Sequence, residues 1–579
     1  MKRTGSRRLG GLLAGATGVL LVAVACSGGN SGTAKQGQAG LAACGDQPTT
    51  CNSGEAKQGG TLTYGVEQDL ATWNVNASNG SHFITGQMMA GVLPDVFYAA
   101  PDLSVQLNKN LMVSAEVTRE SPQTTVYKIK PEAVWSDGTP IDAEDFVYAW
   151  KTRNKKDCPK CAVASSGGYD IIDSVVGSDG GKTVTVTFQA GKAYPDWTQL
   201  FSDLYPAHLA KANGGVDTAD GLAASFDWFA KTKMTWSGGP WLVESYTKGQ
   251  QLIEVPNAKW YGPKPKLDRL IFKIVTDQSS LIPALQNNEI QAAYPAPNQD
   301  LVTQAKQLSS VVFDRVGHGF QWEHIDLNLK NKYLADKALR RAIFTVVNRN
   351  EIISKTLGAF DPTAKPLNSH NFVQAQPAYK DVVSATGQGT GNVDAAKKIL
   401  TDAGYKLDGG KLVTPSGETV APLRFRHTVG NVVRAQTAEL VQSELKAINL
   451  DISIVTTDNL SATLSGGDFD LILYAWIGNP WRLSGGLQLW GKDSSNNYGK
   501  WVNDEADALL KKASTTLNLN EAYGLLNQHD ALMTADAYVL PLFQRPTYLI
   551  AYQKYANIRE NPTSTGPNYN NYEWGQRAA

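Results

Sequence analysis

The sequence predicts an α/β fold in two or more domains, on three observations. Short segments alternate apolar and polar residues at period two, which marks half-buried strands. Between them lie segments with an apolar stripe at helical spacing and a short polar residue at the front. The chain's 579 residues exceed what one hydrophobic core supports, and 42% apolar residues with 14 Trp can fill more than one.

The strands come first. Thr61–Val66 alternates, placing Leu62, Tyr64 and Val66 together; "KTVTVTF" puts Val184, Val186 and Phe188 on one face; "DISIV", 451–455, pairs Ile452 with Ile454. In "VDAAKKILTDAGY" Asp394 is the expected cap, Ala396, Ile399, Leu400 and Ala403 form the stripe, and Gly404 ends the helix. Glu439 to Ile448 carries Val441, Leu445 and Ile448 on a second helical face. Helices and strands so interleaved indicate α/β lobes, not a solenoid or an all-β stack, and no internal repeat is visible.

The amino terminus reads as an export leader over residues 1–25: basic residues from Lys2 to Arg8, then an apolar run from Leu12 to Ala25 too short for a spanning helix. Ala23-Val24-Ala25-Cys26 resembles the lipobox of bacterial lipoproteins, with Ala23 where Leu is usual, and implies lipidation of Cys26; the alternative is a plain signal peptide. Residues 26–58 are mainly Gly, Ser, Ala, Gln and Thr, a composition expected for a flexible tether. Lipid and tether imply a protein anchored to a membrane on its extracytoplasmic face and not spanning it.

Basic and acidic residues number 54 each, and loss of Lys2, Arg3, Arg7 and Arg8 with the leader tips the mature chain toward acidic. A nucleic-acid-binding face is therefore not expected. The thiols after Cys26 most simply form two local bridges outside the cytoplasm, Cys44 with Cys51 and Cys158 with Cys161. A CxxC can also be a redox site or half of a zinc site, but no second CxxC is present.

Motifs of chemistry are absent. Gly486 to Gly491-Lys492 has phosphate-loop spacing, but Asp493 follows where a hydroxyl is required. Gly387, Gly389 and Gly391 follow no clear strand and read as a loop. Neither GxSxG nor HExxH occurs. His318 and His324, flanking Trp322 and Glu323, read as ordinary histidines more readily than as metal ligands. No catalytic constellation, metal site or cofactor is predicted, so the chain is not expected to be an enzyme.

Four ordered blocks carry a resemblance. These are "KIKPEAVWSDGTPIDAEDFVYAWK" (128–151), "SGGPWLVESYTKGQQLIEVPNAKWYGPKPKLDRLIFKIVTD" (237–277), "LNLKNKYLADKALRRAIFTVVNRNEII" (327–353) and "VLPLFQ" (539–544). Together they resemble the extracytoplasmic solute-binding proteins of peptide-type ABC importers, the oligopeptide/dipeptide-binding family, and among them the actinobacterial oligopeptide-binding lipoproteins. The resemblance implies a two-lobed periplasmic-binding-protein fold (class II-like, cluster C) with a hinge and an interlobe ligand cleft. Lobe I would span 59–320 with an extra subdomain, lobe II 321–539, and 540–579 would return to lobe I. It implies an oligopeptide ligand, an ABC permease with a separate cytoplasmic ATPase as partner, and action as a monomer. Oligosaccharides or modified peptides are the alternative cargo, and a secreted hydrolase ranks below both.

Site residues follow from the same resemblance. In "LILYAWIGNPW", 471–481, an apolar strand breaks into Trp476, Gly478, Asn479 and Pro480. Ligands of α/β sheets sit at the carboxyl ends of strands, where Trp476 can offer an aromatic face and Gly478 a close backbone approach. The family's matching "WxGD" ends in an Asp that pairs with a peptide's α-amino group; here Asn479 stands in its place and supplies no charge. The facing wall is expected in "WNVNASNGSH", 73–82, where Asn76, Ser78, Asn79 and Gly80 would leave backbone groups free for an extended ligand.

Overall fold

The computed structural model describes residues 40–80 and 82–578. The expectations for the leader and for Cys26 lie outside the described residues.

A ten-stranded mixed sheet organises the chain. Its strands are β1 (Thr61–Val66), β2 (Trp241–Thr247), β3 (Gln251–Pro256), β4 (Arg269–Ile274), β5 (Ala292–Ala293), β6 (Val312–Leu327), β7 (Leu423–Thr428), β8 (Ile452–Thr457), β9 (Leu471–Ile477) and β10 (Val539–Tyr552). Their spatial order is β8-β7-β9-β6-β10-β5-β1-β4-β3-β2. The period-two reading of β1 holds, since Leu62, Tyr64 and Val66 are all buried.

β6 and β10 are the two strands shared by both halves. They pair antiparallel from Val312↔Tyr552 to His318↔Pro546, and again from Trp322↔Gln544 to Asp326↔Val539, with a register shift between. Gly319, Phe320 and Gln321 thus face the single residue Arg545, a bulge of the kind that bends and twists a strand. Pro546, which has no N–H for a ladder, fits beside such a break. The carbonyls freed there find partners: Gln544 Nε2 donates to Gly319 O at 2.9 Å and the Gly478 N–H to Phe320 O at 3.0 Å. Phe320 is buried with Leu103 and Val373. Beyond the break β6 pairs β9, from Gln321↔Ile477 to Leu327↔Leu471. Residues 539–544 of β10 pair with the second half of β6, and 546–552 with its first half.

A separate four-stranded sheet contains 112–120, 123–129, 183–188 and 172–178, with Val184, Val186 and Phe188 buried as expected. Its covering helix, Ala143–Arg153, starts at a capping box of Asp142 and Asp145. Asp145 is buried and accepts from Trp135 Nε1 (3.1 Å), Asp142 N (3.1 Å) and Ala207 N (2.8 Å), while burial pushes its carboxyl up to about 7. The 128–151 block is thus one hydrogen-bonded turn and helix.

Other details differ from expectation. Asn392 caps the helix Val393–Asp402, and Asp394 lies inside its first turn. The helix expected from Glu439 starts at Val432, capped by Asn431. Both disulfides form as the local pairing predicts, Cys44–Cys51 and Cys158–Cys161.

The expected tether to residue 58 also needs correction, because residues 40–58 belong to the folded body. Asn52 Nδ2 donates to Ile558 O (2.8 Å), Arg559 Nε to Cys51 O (2.8 Å) and Lys57 N to Gln576 O (2.7 Å). Composition shows only that this segment lacks a core of its own. The C-terminal residues supply its partners.

Glu254 on β3 is fully buried, and neither carboxylate oxygen has a hydrogen-bond partner among the described residues. Burial raises its pKa well above the ordinary 4.5. The folded state keeps a proton that the unfolded chain releases, so this group costs stability increasingly as pH rises above about 4.5. Glu254→Met is expected to raise the melting temperature, more at about pH 8 than at about pH 5. An equal rise at both would contradict the assignment.

Candidate functional site

The strand end β9 and its following turn lie beside the crossing. Trp476 is half-buried among rings: it stacks on Tyr498 (6.1 Å, 10°) and His324 (6.1 Å, 7°), and meets Tyr474 (5.3 Å) and Trp490 (6.2 Å) edge-on. Its Nε1 is buried with no partner among the described residues. A Cβ on Gly478 would stand 2.9 Å from Arg482 Nη2 and 3.0 Å from Phe320 O. Gly478 thus permits close approach of the crossing strand and of an arginine of its own lobe. Asn479 Oδ1 accepts from Trp481 N at 2.9 Å, an Asx turn completed by Pro480.

The other lobe meets this turn directly. Trp481 Nε1 donates to Thr198 Oγ1 at 2.9 Å. Arg482 is 5% exposed; burial lowers its pKa to about 10, with Asp196 as the opposing charge. Next to the turn, Glu323 holds Arg434 through two 3.0 Å bonds, and Arg545 donates to Gln321 Oε1 at 2.9 Å. A recess of about 550 Å³ opens beside the helix Leu483–Trp490, lined by Leu487, Gln488, Asp493, Asn496, Asp507 and Lys511 among others. A Cβ on Gly167 would lie 3.8 Å from Gln488 Nε2, so the first lobe reaches this rim. The volume falls within the range of small-ligand sites.

The segment 73–80 is tied down at Asn76 and Ser78. Ser78 N donates to Ala162 O (2.8 Å), Ala164 N to Asn76 O (2.9 Å) and Asn76 Nδ2 to Asp203 O (3.0 Å). The Asn76 carbonyl and the Ser78 N–H are spent on the segment after the Cys158–Cys161 bridge and the Asn76 side chain on Asp203, so these are not the free groups expected. Gly80 is buried, and a Cβ there would strike Asn74 O at 2.0 Å. Ser78 and Asn79 are exposed. Asn76 lines a cavity of about 10 Å³, the space of one water.

Ser, His and Asp do meet in one buried cluster, but in an order unsuited to hydrolysis. Asp530 accepts from Ser369 Oγ (2.6 Å) and from the His370 ring, whose Nε2 faces Val539 O at 2.9 Å. The hydroxyl contacts the acid, so no imidazole is placed to activate it. Among the described residues no group of three or more His, Cys, Asp or Glu could hold a metal, and no helix is long and apolar enough to cross a membrane.

Sequence reasoning missed Arg482, Arg434, Arg545 and Thr198. Arg482 was open to notice, since it directly follows the "GNPW" turn; the others are joined to the site only by the fold.

Comparison with known proteins places the chain in context. The model of the bacterial extracellular solute-binding proteins, family 5 Middle, matches residues 106–498. The oligopeptide-binding protein OppA of Mycobacterium tuberculosis is 29% identical over 513 residues, covering 87% of this chain and 83% of that protein. Among solved structures, the periplasmic EDTA-binding protein EppA is 36% identical with a TM-score of 0.84, covering 92% of this chain and 99% of that one. The oligopeptide-binding protein AppA of Bacillus subtilis, in complex with a nonapeptide, shares the fold at a TM-score of 0.67 and 20% identity, covering 90% of this chain and 100% of that one.

Two substitutions test the packing of the turn. Trp476→Ala removes a ring held by four others and is expected to cost about 2–4 kcal/mol in urea unfolding; a loss below about 0.5 kcal/mol would show that the stack carries little. Gly478→Ala is expected to cost about 1–3 kcal/mol by displacing Arg482 or the Phe320 carbonyl, and a neutral result would contradict the contact.

Proposed function

The chain belongs to the bacterial extracellular solute-binding proteins of family 5, and from that premise we propose that it captures oligopeptides between its lobes and delivers them to an ABC permease driven by a separate ATPase. The observation that carries this reading is the crossing: two lobes share only β6 and β10, whose ladder breaks at 319–321, while the turn 478–482 touches the opposite lobe through Trp481 and Thr198. Such a joint lets two lobes close over cargo and bury most of its surface. The 550 Å³ recess, the exposed Ser78 and Asn79 and the half-buried Trp476 and Asn479 would line the path of an extended ligand. OppA and AppA, by their names, support peptides as the class.

In this reading lobe I runs to about residue 318 and again from about 546, and lobe II fills the interval. The lipid on Cys26 holds the protein, as a monomer, at the outer face of the cell membrane. In this reading the cargo leaves unchanged, as expected of a carrier of this family. Oligosaccharide cargo is set aside because the relatives OppA and AppA are named as oligopeptide-binding proteins. A second reading, an anionic chelate, has one observation behind it: the likeness to EppA, whose name records EDTA binding.

Native mass spectrometry of protein purified from its host is expected to show bound oligopeptides, recovered at unchanged mass after prolonged incubation. Cleaved peptides would contradict the non-enzymatic reading, and a non-peptide ligand the cargo.

A further inference from the structure

We propose that Arg482 anchors a ligand carboxylate at this end of the cleft, so that the cargo presents an acid group where the "WxGD" pattern of the resembling family places an amine. The inference rests on the solute-binding reading and names the chemistry of its cargo.

The first observation is a buried cation short of partners. Arg482 is 5% exposed, yet its Nε has no hydrogen-bond partner among the described residues. A guanidinium has five N–H donors in a planar fork suited to carboxylate, and taking it out of water without satisfying them is costly. Asp196 acts on it, but burial outweighs that attraction and lowers its pKa.

Position supplies the second. Arg482 Nη2 lies over Gly478, 2.9 Å from where a Cβ would stand. Gly478 directly follows β9 and continues its pairing through its N–H to Phe320 O, so its Cβ position lies on the face of Trp476, two residues back, whose Nε1 is also buried with no partner among the described residues. Two buried donors without acceptors therefore share one face of the same strand end.

The third concerns charge. Asn479 is neutral, and its Oδ1 already accepts from Trp481 N. The turn thus offers an ammonium group no acid of its own, while it offers a carboxylate a guanidinium. Trp481 bonded to Thr198 brings the lobes together here, which shields the site from water and strengthens a charge-assisted bond.

Two sources carry this chemistry: the carboxyl group of a peptide and a polycarboxylate chelate. Titration calorimetry with a pool of pentapeptides bearing free carboxyl termini, the same pool amidated, and Fe(III)-EDTA separates them. The wild type is expected to bind free pentapeptides or the chelate, and Arg482→Gln to weaken that binding by about 30-fold or more, with Arg482→Lys intermediate. The ligand-free melting temperature of Arg482→Gln should hold or rise, whereas a purely structural Arg482–Asp196 latch predicts a fall. If Arg482→Gln does not fold, the amidation comparison on wild type and the Lys variant decide. Equal binding of free and amidated pools, unaffected at Arg482, overturns the carboxylate inference and leaves the peptide reading standing. Binding of the chelate alone, dependent on Arg482, upholds the inference and removes the peptide reading. No binding of any probe by the wild type overturns both.

Discussion

Backbone hydrogen bonding across β6 and β10 is the constraint on which the rest depends. Each strand runs through both lobes, and a polar backbone buried in both needs a partner along its length. The ladder supplies partners up to His318 and again from Trp322, and between them Gln544 and Gly478 take over two of the carbonyls. Rotation about such a break leaves both ladders intact. It also couples the site to the joint, because Gly478 directly follows β9 and bonds to the crossing strand.

Charge is concentrated around the same point. Glu323 is buried between Arg434, which it binds through two bonds, and Arg545, whose Nε lies 3.6 Å away. A buried ion pair gives little net stability, but removing one member leaves an uncompensated charge, so the cluster fixes one arrangement of strand, helix and joint. Arg482 differs from it in that its Nε has no hydrogen-bond partner among the described residues. The contrast between a satisfied arginine cluster and an unsatisfied arginine at one strand end distinguishes scaffold from binding group.

The sequence made most of the framework legible. Leu62, Tyr64, Val66, Val184, Val186 and Phe188 face inward because alternation is a local property of the chain, and the two disulfides were readable because their partners are close in sequence. Long-range partnership was not legible. Residues 40–58 look like a tether until Ile558, Arg559 and Gln576 are known to lie beside them. The loop at 76–80 looks open until Ala162 and Ala164 are seen to pair with it. The partner of Gly478 on the crossing strand, Phe320, is distant in sequence and was not legible either. Asn392 displaced Asp394 as the cap because either residue type can cap and only backbone geometry separates positions two apart.

Closure of the two lobes about the crossing is tested most directly by the distance between them. Spin labels at the exposed positions Val176 in the first lobe and Val429 in the second report it, and a pair at Val113 and Val176 within one lobe is the control. On returning the co-purified ligand to stripped protein, the interlobe distance distribution should shorten and sharpen while the control stays fixed. An interlobe distribution unchanged under saturating ligand would contradict the account.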